Sequence, residues 1–194
     1  NIWIGTLNGG LDKFSPSTGQ FKHYRYEASK ENSISSDEII TLYEDPNGTI
    51  WVGCRNGLNR YSEESDSFTR FFHIPDDETS IPSGEVKSIT TTSDGTLWIG
   101  TNGGGLCTKK TGEDSFTRIL NDRNALSSSQ IEVIYEDSLG NMWIGTKNGL
   151  NFVDQKGEIT QYFHEVSNLQ TLSDDYITAI IEDLHGLLWI GTYN

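Results

Sequence analysis

All five tryptophans of this 194-residue chain lie in the same tripeptide, Trp-(Ile/Val)-Gly, and this repetition constrains the fold more than any other feature. Successive tryptophans are 48, 47, 45 and 46 residues apart, at Trp3, Trp51, Trp98, Trp143 and Trp189. This period is typical of β-propeller blades and is longer than that of helical ankyrin or tetratricopeptide repeats. Because so small a repeat cannot bury its own apolar face, neighbouring repeats must pack on one another.

Each full period contains four strand patterns, here called A to D. β-branched and aromatic residues dominate strand A, strand B carries the tryptophan, and a glycine loop separates strand B from strand C. Strand A is predicted at 39–45, 86–92, 131–137 and 177–183, and strand D at 21–24, 68–72, 116–120 and 159–163. The sequence therefore predicts an all-β fold of antiparallel four-stranded propeller blades, with 17 strands in about four repeats of a partial propeller. The predicted repeats are about 1–32, 33–79, 80–124, 125–170 and a partial 171–194.

Acidic pairs recur where strand A ends, at Glu44–Asp45, Glu136–Asp137 and Glu182–Asp183. A glycosidase needs two carboxyl groups that face one substrate, but residues at one repeat position are spread around a propeller. We interpret the pairs as caps of the turn between strands A and B, which ends in glycine. The tryptophans are predicted to pack between blades and to be largely buried.

The composition excludes several classes of function. Fourteen basic and 28 acidic residues give a net charge of −14, which disfavours nucleic acid as a partner. No apolar run approaches the ~20 residues that span a bilayer, so no membrane contact is expected of this stretch. Cys54 and Cys107 fall at different repeat positions and are interpreted as free thiols. The four histidines lack zinc-site spacing, so neither a metal nor a cofactor nor a catalytic residue is predicted.

Two sets of loops are expected to meet on one face of the propeller: the loops from strand B to C and the links from strand D to the next strand A. Residues there differ between repeats, as in a surface that binds a specific ligand. A mixed polar and aromatic ring suits an oligosaccharide or another small polar ligand. The candidate ligand-binding residues are Arg55, Asn102, Lys147, Tyr193, Glu38, Glu85, Gln130 and Tyr176.

The consensus ISxxIxxIxEDxxGxLWIGTxxGGLxxY resembles the two-component regulator propeller repeat over the whole chain. Residues 90–92, Cys54 and Cys107 depart from it. The resemblance implies the periplasmic sensor region of a hybrid two-component histidine kinase, of the kind found in Bacteroidetes, which often detects oligosaccharides. It implies a non-catalytic domain, with the kinase outside these residues.

Two alternatives stay open. One is a propeller enzyme of the lyase type, similar to streptogramin lyases or polysaccharide lyases, which needs a general base with residues from several blades. The other is a scaffold without a ligand. Because the strands do not divide into closed blades, we also expect an open arc whose ends pack on other blades of the parent chain or on another chain, or two copies that pool blades into a homodimeric ring of about eight.

Overall fold

The computed structural model of the protein describes residues 1–119 and 126–194, which form 17 β-strands in five sheets. No described residue lies in a helix, so these two stretches contain no helix that could cross a membrane. The all-β fold and its four-stranded antiparallel blades are confirmed. The predicted repeat boundary at 124/125 and the last residue of the predicted strand 116–120 lie outside the described residues.

The strands are numbered in chain order. The first sheet contains β1 (Ile2–Gly5), β2 (Leu11–Ser15) and β3 (Gln20–Tyr24). The second contains β4 (Ile39–Glu44), β5 (Ile50–Cys54), β6 (Gly57–Ser62) and β7 (Ser67–Phe71). The third contains β8 (Val86–Thr91), β9 (Leu97–Thr101), β10 (Gly105–Lys109) and β11 (Thr117–Ile119). The fourth contains β12 (Ile131–Glu136), β13 (Met142–Thr146), β14 (Gly149–Val153) and β15 (Ile159–Tyr162), and the fifth contains β16 (Ile177–Glu182) and β17 (Leu188–Thr192).

Strand A is the innermost strand of each blade. The three complete sheets pair in the order A-B-C-D, and their A strands pack side by side, β4 against β8, β8 against β12 and β12 against β16. Small side chains in strand A let these strands approach closely. The Ser88 hydroxyl oxygen, for example, accepts a hydrogen bond from the backbone N–H of Ile134 in the next blade at 3.0 Å.

The glycine of the first four Trp-(Ile/Val)-Gly motifs lies against the next blade. A Cβ added at Gly100 would lie 2.5 Å from Cγ2 of Ile131, and one added at Gly145 would lie 2.6 Å from Cγ2 of Ile177. Both distances are too short for carbon atoms in contact. The repeated glycine therefore serves the close packing between blades.

The first four tryptophans pack on the blade that follows them in the chain, as predicted, but the fifth does not. Trp51 is 6% exposed and belongs to a core cluster that includes Ile81 and Val86 of the next blade. Trp143 packs in the same way against Ile177. Trp189, however, is 62% exposed, so the prediction of burial is wrong for this residue. The reason is that no sixth blade follows it within the described residues to cover the indole.

The aspartate of each acidic pair caps its turn. Oδ1 of Asp137 accepts the backbone N–H groups of Leu139 and Asn141 at 3.0 and 2.8 Å, and Oδ2 accepts the indole N–H of Trp143 at 3.0 Å. These bonds hold the pKa of Asp137 below its ordinary value although burial opposes them. Asp183 makes the same set of bonds in the fifth blade.

The glutamates of the second and third acidic pairs, Glu136 and Glu182, do not cap a turn as predicted. Glu136 ends strand β12, and its carboxylate accepts the backbone N–H and the hydroxyl of Ser93 in the preceding blade at 2.7 and 2.9 Å. Glu182 binds Ser138 in the same way. The interpretation of both members as turn caps is therefore corrected: the aspartate caps the turn, and Glu136 and Glu182 each tie their blade to its neighbour.

Both cysteines are buried free thiols, as predicted. Burial raises the pKa of Cys54 to about 11 and that of Cys107 to about 12. The thiolate is therefore scarce at neutral pH, and both side chains serve as small apolar core residues.

Candidate functional site

The eight candidate ligand-binding residues lie in four hydrogen-bonded backbone pairs on one face. In each pair, the residue after strand B donates its backbone N–H to the carbonyl just before strand A of the same blade. The pairs are Arg55 with Glu38, Asn102 with Glu85, Lys147 with Gln130, and Tyr193 with Tyr176, at 2.9–3.1 Å. We call this surface, formed by the B-to-C loops and the D-to-A links, the ladder face.

The B-to-C loops are also fixed to the next blade. Gly57 donates its backbone N–H to the carbonyl of Gly84 at 2.6 Å, and Gly149 donates to that of Asp175 at 2.7 Å. The φ angle of Gly57 is 128°, a conformation that favours glycine over other residues. Glycine at this place in the sequence therefore sets the position of each loop on the ladder face.

Side-chain contacts continue from blade to blade. Arg55 binds the carboxylate of Glu38 at 3.1 Å. Asn102 donates its amide to Glu85 at 2.9 Å and accepts the amide of Gln130 at 3.2 Å. The polar side chains of the second, third and fourth blades therefore form ordered pairs.

The aromatic members of the set lie in the fifth blade. The rings of Tyr176 and Tyr193 stack at 5.2 Å, nearly parallel, and the ammonium group of Lys147 lies 5.8 Å from the centre of the Tyr176 ring. An amphipathic aromatic surface beside charged groups can contact both the apolar and the hydroxyl-bearing sides of a sugar.

Sequence analysis missed two charged residues at the inner edge of this face, Lys87 and Glu132. Each is the second residue of a strand A, where the pairing with strand B shifts register and leaves it unpaired. Such a β-bulge re-aims a side chain, and bulges are common beside functional sites. A charged residue at the second position of strand A, where the second and fifth blades carry Ile40 and Thr178, was the signal that could have identified both residues.

Lys87 and Glu132 connect the charged candidates. Lys87 lies 3.6 Å from the carboxylate of Glu85 and 3.4 Å from that of Glu132, and Lys147 lies 3.7 Å from Glu132. We call the resulting series the polar ladder. Its members alternate in charge across three blades and are Glu38, Arg55, Glu85, Lys87, Glu132 and Lys147.

Two electrostatic features distinguish the acidic members of the polar ladder. The hydrogen bond from Asn102 and the charges of Lys87 and Arg55 hold the pKa of Glu85 below its ordinary value, although burial opposes them. Oε1 of Glu132 is buried and accepts no hydrogen bond from any residue that the structure describes, but it lies 3.7 Å from the Lys147 ammonium group. The ammonium group of Lys147 therefore offsets the charge of this buried carboxylate.

Histidines and acidic residues do not assemble into a metal site in the described part of the chain. Within residues 1–119 and 126–194, no three His, Cys, Asp or Glu side chains lie together as ligands. His73 and His164 occupy one repeat position, and Nδ1 of each contacts a backbone carbonyl, of Ile81 at 2.9 Å and of Leu172 at 2.6 Å. These contacts fix the D-to-A links.

The repeated sheets, with inner A strands and tryptophans packed on the next blade, define a protein of the β-propeller class. The sequence model for the two component regulator propeller matches residues 33–56, 80–103, 125–148 and 171–194. The chain belongs to this family. No curated protein matches its sequence.

Solved structures with the same fold cover nearly the whole chain. The extracellular domain of BT4673 from B. thetaiotaomicron, assigned as a hybrid two component system, superposes with a TM-score of 0.81 at 22% identity over 98% of this chain and 24% of that one. The corresponding domain of BT3049 from the same organism gives 0.69 at 21% identity over 98% and 30%. Virginiamycin B lyase from Staphylococcus aureus gives 0.65 at 14% identity over 97% and 58%. The chain thus spans 24% and 30% of the length of the first two extracellular domains, and these likenesses show the fold alone.

Proposed function

We propose that the chain is part of the extracytoplasmic sensor of a hybrid two-component system, that it acts in the periplasm, and that it binds an oligosaccharide or another small polar ligand on the ladder face. It carries out no chemistry of its own. The histidine kinase that receives the signal lies outside these 194 residues, and the signal passes through a change in how two receptor chains pack.

Membership of the two component regulator propeller family supports the class of protein. Two relatives in fold are extracellular domains assigned to hybrid two component systems, which supports the location. The net charge of −14 is compatible with a neutral or cationic ligand.

The observation that carries the binding proposal is the polar ladder. Six charged side chains of alternating sign lie on one face, and four ion pairs of 3.1–3.7 Å join them. A ligand rich in hydroxyl groups can donate to the carboxylates and accept from the ammonium and guanidinium groups. The Tyr176–Tyr193 stack would contact its apolar side.

Titration calorimetry with a panel of oligosaccharides tests the proposal. The Arg55→Ala, Lys147→Ala double variant should bind the best ligand at least about tenfold more weakly, because both cations lie on the ladder face. The control is the double variant Lys22→Ala, Lys156→Ala, which also removes two exposed cations, one in strand β3 and one in the turn before β15, and should bind with wild-type affinity. Unchanged affinity in the first variant would remove these residues from the site, and failure of the whole panel to bind would overturn oligosaccharide binding by this chain.

The same mixtures distinguish a sensor from a lyase. Nuclear magnetic resonance spectra of each oligosaccharide, recorded after long incubation with the protein, should show only the starting sugar. Appearance of an unsaturated product would contradict the proposal and support a propeller enzyme.

A further inference from the structure

A cavity of about 130 Å³ lies between the second and third blades, beside the A-to-B and C-to-D turns. These turns are at the opposite ends of the strands from the ladder face, so the cavity is a separate place on the molecule. Its lining includes the side chains of Arg60, Thr91, Lys109 and Lys110, together with Asp45.

Lys109 is unusual at its place in the repeat. It is only 6% exposed, at a strand C position where the second and fourth blades carry Tyr61 and Val153, which are buried in core clusters. Those clusters receive the tryptophan of the preceding blade, Trp3 and Trp98 respectively. A buried lysine at an apolar position is costly unless something offsets its charge.

A second departure occurs at the same junction. Where Glu136 and Glu182 reach back to Ser93 and Ser138 of the preceding blade, the third blade carries Thr91. The second blade has Pro46 in the serine position, which offers neither a hydroxyl nor a backbone N–H. This junction therefore lacks the carboxylate and both of its donors. The hydroxyl of Thr91 is buried and has no hydrogen-bond partner among the residues that the structure describes.

Positive charge is concentrated in the cavity without a partner. Arg60, Lys109 and Lys110 form no ion pair and donate no side-chain hydrogen bond within residues 1–119 and 126–194, although the chain carries a net charge of −14. The pKa of Lys109 is lowered by burial and by the nearby charge of Arg60, and the charges of Asp114 and Glu113 oppose this effect. Asp45 offsets part of this charge, but its oxygens accept hydrogen bonds from Asn47, Thr49 and Trp51, and three cations against one carboxylate leave the lining positive.

We propose that this cavity binds a carboxylate group, which takes the place of the glutamate that ties the other blades together. The Arg60 guanidinium can hold both oxygens of a carboxylate, the ammonium groups of Lys109 and Lys110 neutralise its charge, and the Thr91 hydroxyl supplies a further donor. The cavity is smaller than a pocket for a drug-sized molecule, so the ligand is a small organic acid or the acid group of an acidic sugar.

The experiment follows the thermal unfolding midpoint and the binding heat of the 194-residue chain with acetate, glucuronate or phosphate, at a constant ionic strength set with chloride. A carboxylate ligand of the folded state should raise the midpoint in a saturable way. Acetate and glucuronate distinguish a free small acid from a sugar acid, since a sugar-acid site will bind glucuronate more tightly. Tighter binding of phosphate than of either acid would overturn the carboxylate assignment.

Two variants test the residues. Lys109→Met removes the charge and restores an apolar side chain at this position, so the variant should fold and should bind carboxylate at least about tenfold more weakly. Thr91→Glu supplies an internal carboxylate and should abolish binding while it raises the midpoint of the ligand-free protein. Lys156→Met, a change at an exposed turn, is the control and should bind as the wild type does. Equal binding by wild type and Lys109→Met, or no saturable binding by the wild type, would overturn the proposal.

The outcome is independent of the proposed function. The Arg55→Ala, Lys147→Ala variant should retain full carboxylate binding in this cavity, because both residues lie on the ladder face. Loss of carboxylate binding in that variant would place the acid on the ladder face and would contradict a second site.

Discussion

The carboxylate of Glu136 in the fourth blade accepts two hydrogen bonds from Ser93 in the third, one from the backbone N–H at 2.7 Å and one from the hydroxyl at 2.9 Å. Glu182 and Ser138 repeat this arrangement one blade later. Polar contacts at the strand ends therefore add to the apolar packing that joins the blades.

Replacement of Glu136 by alanine should lower the free energy of unfolding by about 1–2 kcal/mol, because two charge-assisted hydrogen bonds are lost at a partly exposed site. Glu44 is the matched control. It occupies the same repeat position but accepts no hydrogen bond from any residue the structure describes, so Glu44→Ala should change stability by less than about 0.5 kcal/mol. Urea denaturation of both variants provides the test, and equal losses would contradict the role assigned to Glu136.

The tryptophans offer a second matched pair. Trp51→Ala should cost about 3–5 kcal/mol, since the indole is buried against the third blade. Trp189→Ala removes a side chain that is 62% exposed and should cost about 1 kcal/mol or less. A similar cost for both, measured by thermal or urea unfolding, would mean that the indole contributes through its own blade and not through packing on the next one.

The bond between the turn aspartate and the indole can be measured separately from the turn itself. Asp183 caps two backbone N–H groups and accepts the Trp189 indole, whereas Asp154 caps the backbone N–H groups of Lys156 and Glu158. Asp183→Ala should therefore destabilise the protein by about 1 kcal/mol more than Asp154→Ala. Equal destabilisation would show that the indole bond contributes nothing measurable.

Much of the fold could be predicted from the sequence because the repeat encodes it several times. The tryptophan motif, the glycine loops and the A strands recur in register, so the blades and the face that carries Arg55 and Lys147 follow from spacing alone. The roles of Glu136 and Lys87 could not be predicted in this way. Glu136 acts across a junction, on a residue 43 positions earlier, and Lys87 depends on a bulge that no spacing reveals.

The repeat pattern did not predict the cavity between the second and third blades. A consensus marks Thr91 only as a single departure and does not mark Lys109, because it does not show which residues of neighbouring repeats face each other. In the structure both line one cavity. Departures from a repeat consensus are most informative when they fall on the two sides of the same junction.

The stability of the protein should depend on pH through the carboxyl group of Glu85, a member of the polar ladder. Its pKa in the folded protein lies below the ordinary value of 4.5, chiefly because Asn102 donates to the charged form. The hydrogen bond therefore stabilises the folded protein fully when the pH is above the ordinary pKa of 4.5. This stabilisation is lost as the pH falls through the pKa that Glu85 has in the folded protein. Glu85→Gln lacks this contribution, so its stability deficit relative to wild type should shrink towards zero in acid. Urea midpoints measured from neutral to acid pH provide the test, and a deficit independent of pH would contradict the assigned cause.

Hydrogen exchange detected by mass spectrometry, on the chain with and without the tightest oligosaccharide of the panel, tests the central claim most directly. Binding on the ladder face should slow exchange in the loops that carry the four backbone pairs, around residues 37–39, 55–57, 84–86, 102–105, 129–131, 147–149, 175–177 and 191–193. Exchange in the A-to-B turns, around residues 45–49, 92–96, 137–141 and 183–187, should stay unchanged. Protection confined to those turns, or found equally on both faces, would contradict the ladder face as the ligand-binding surface.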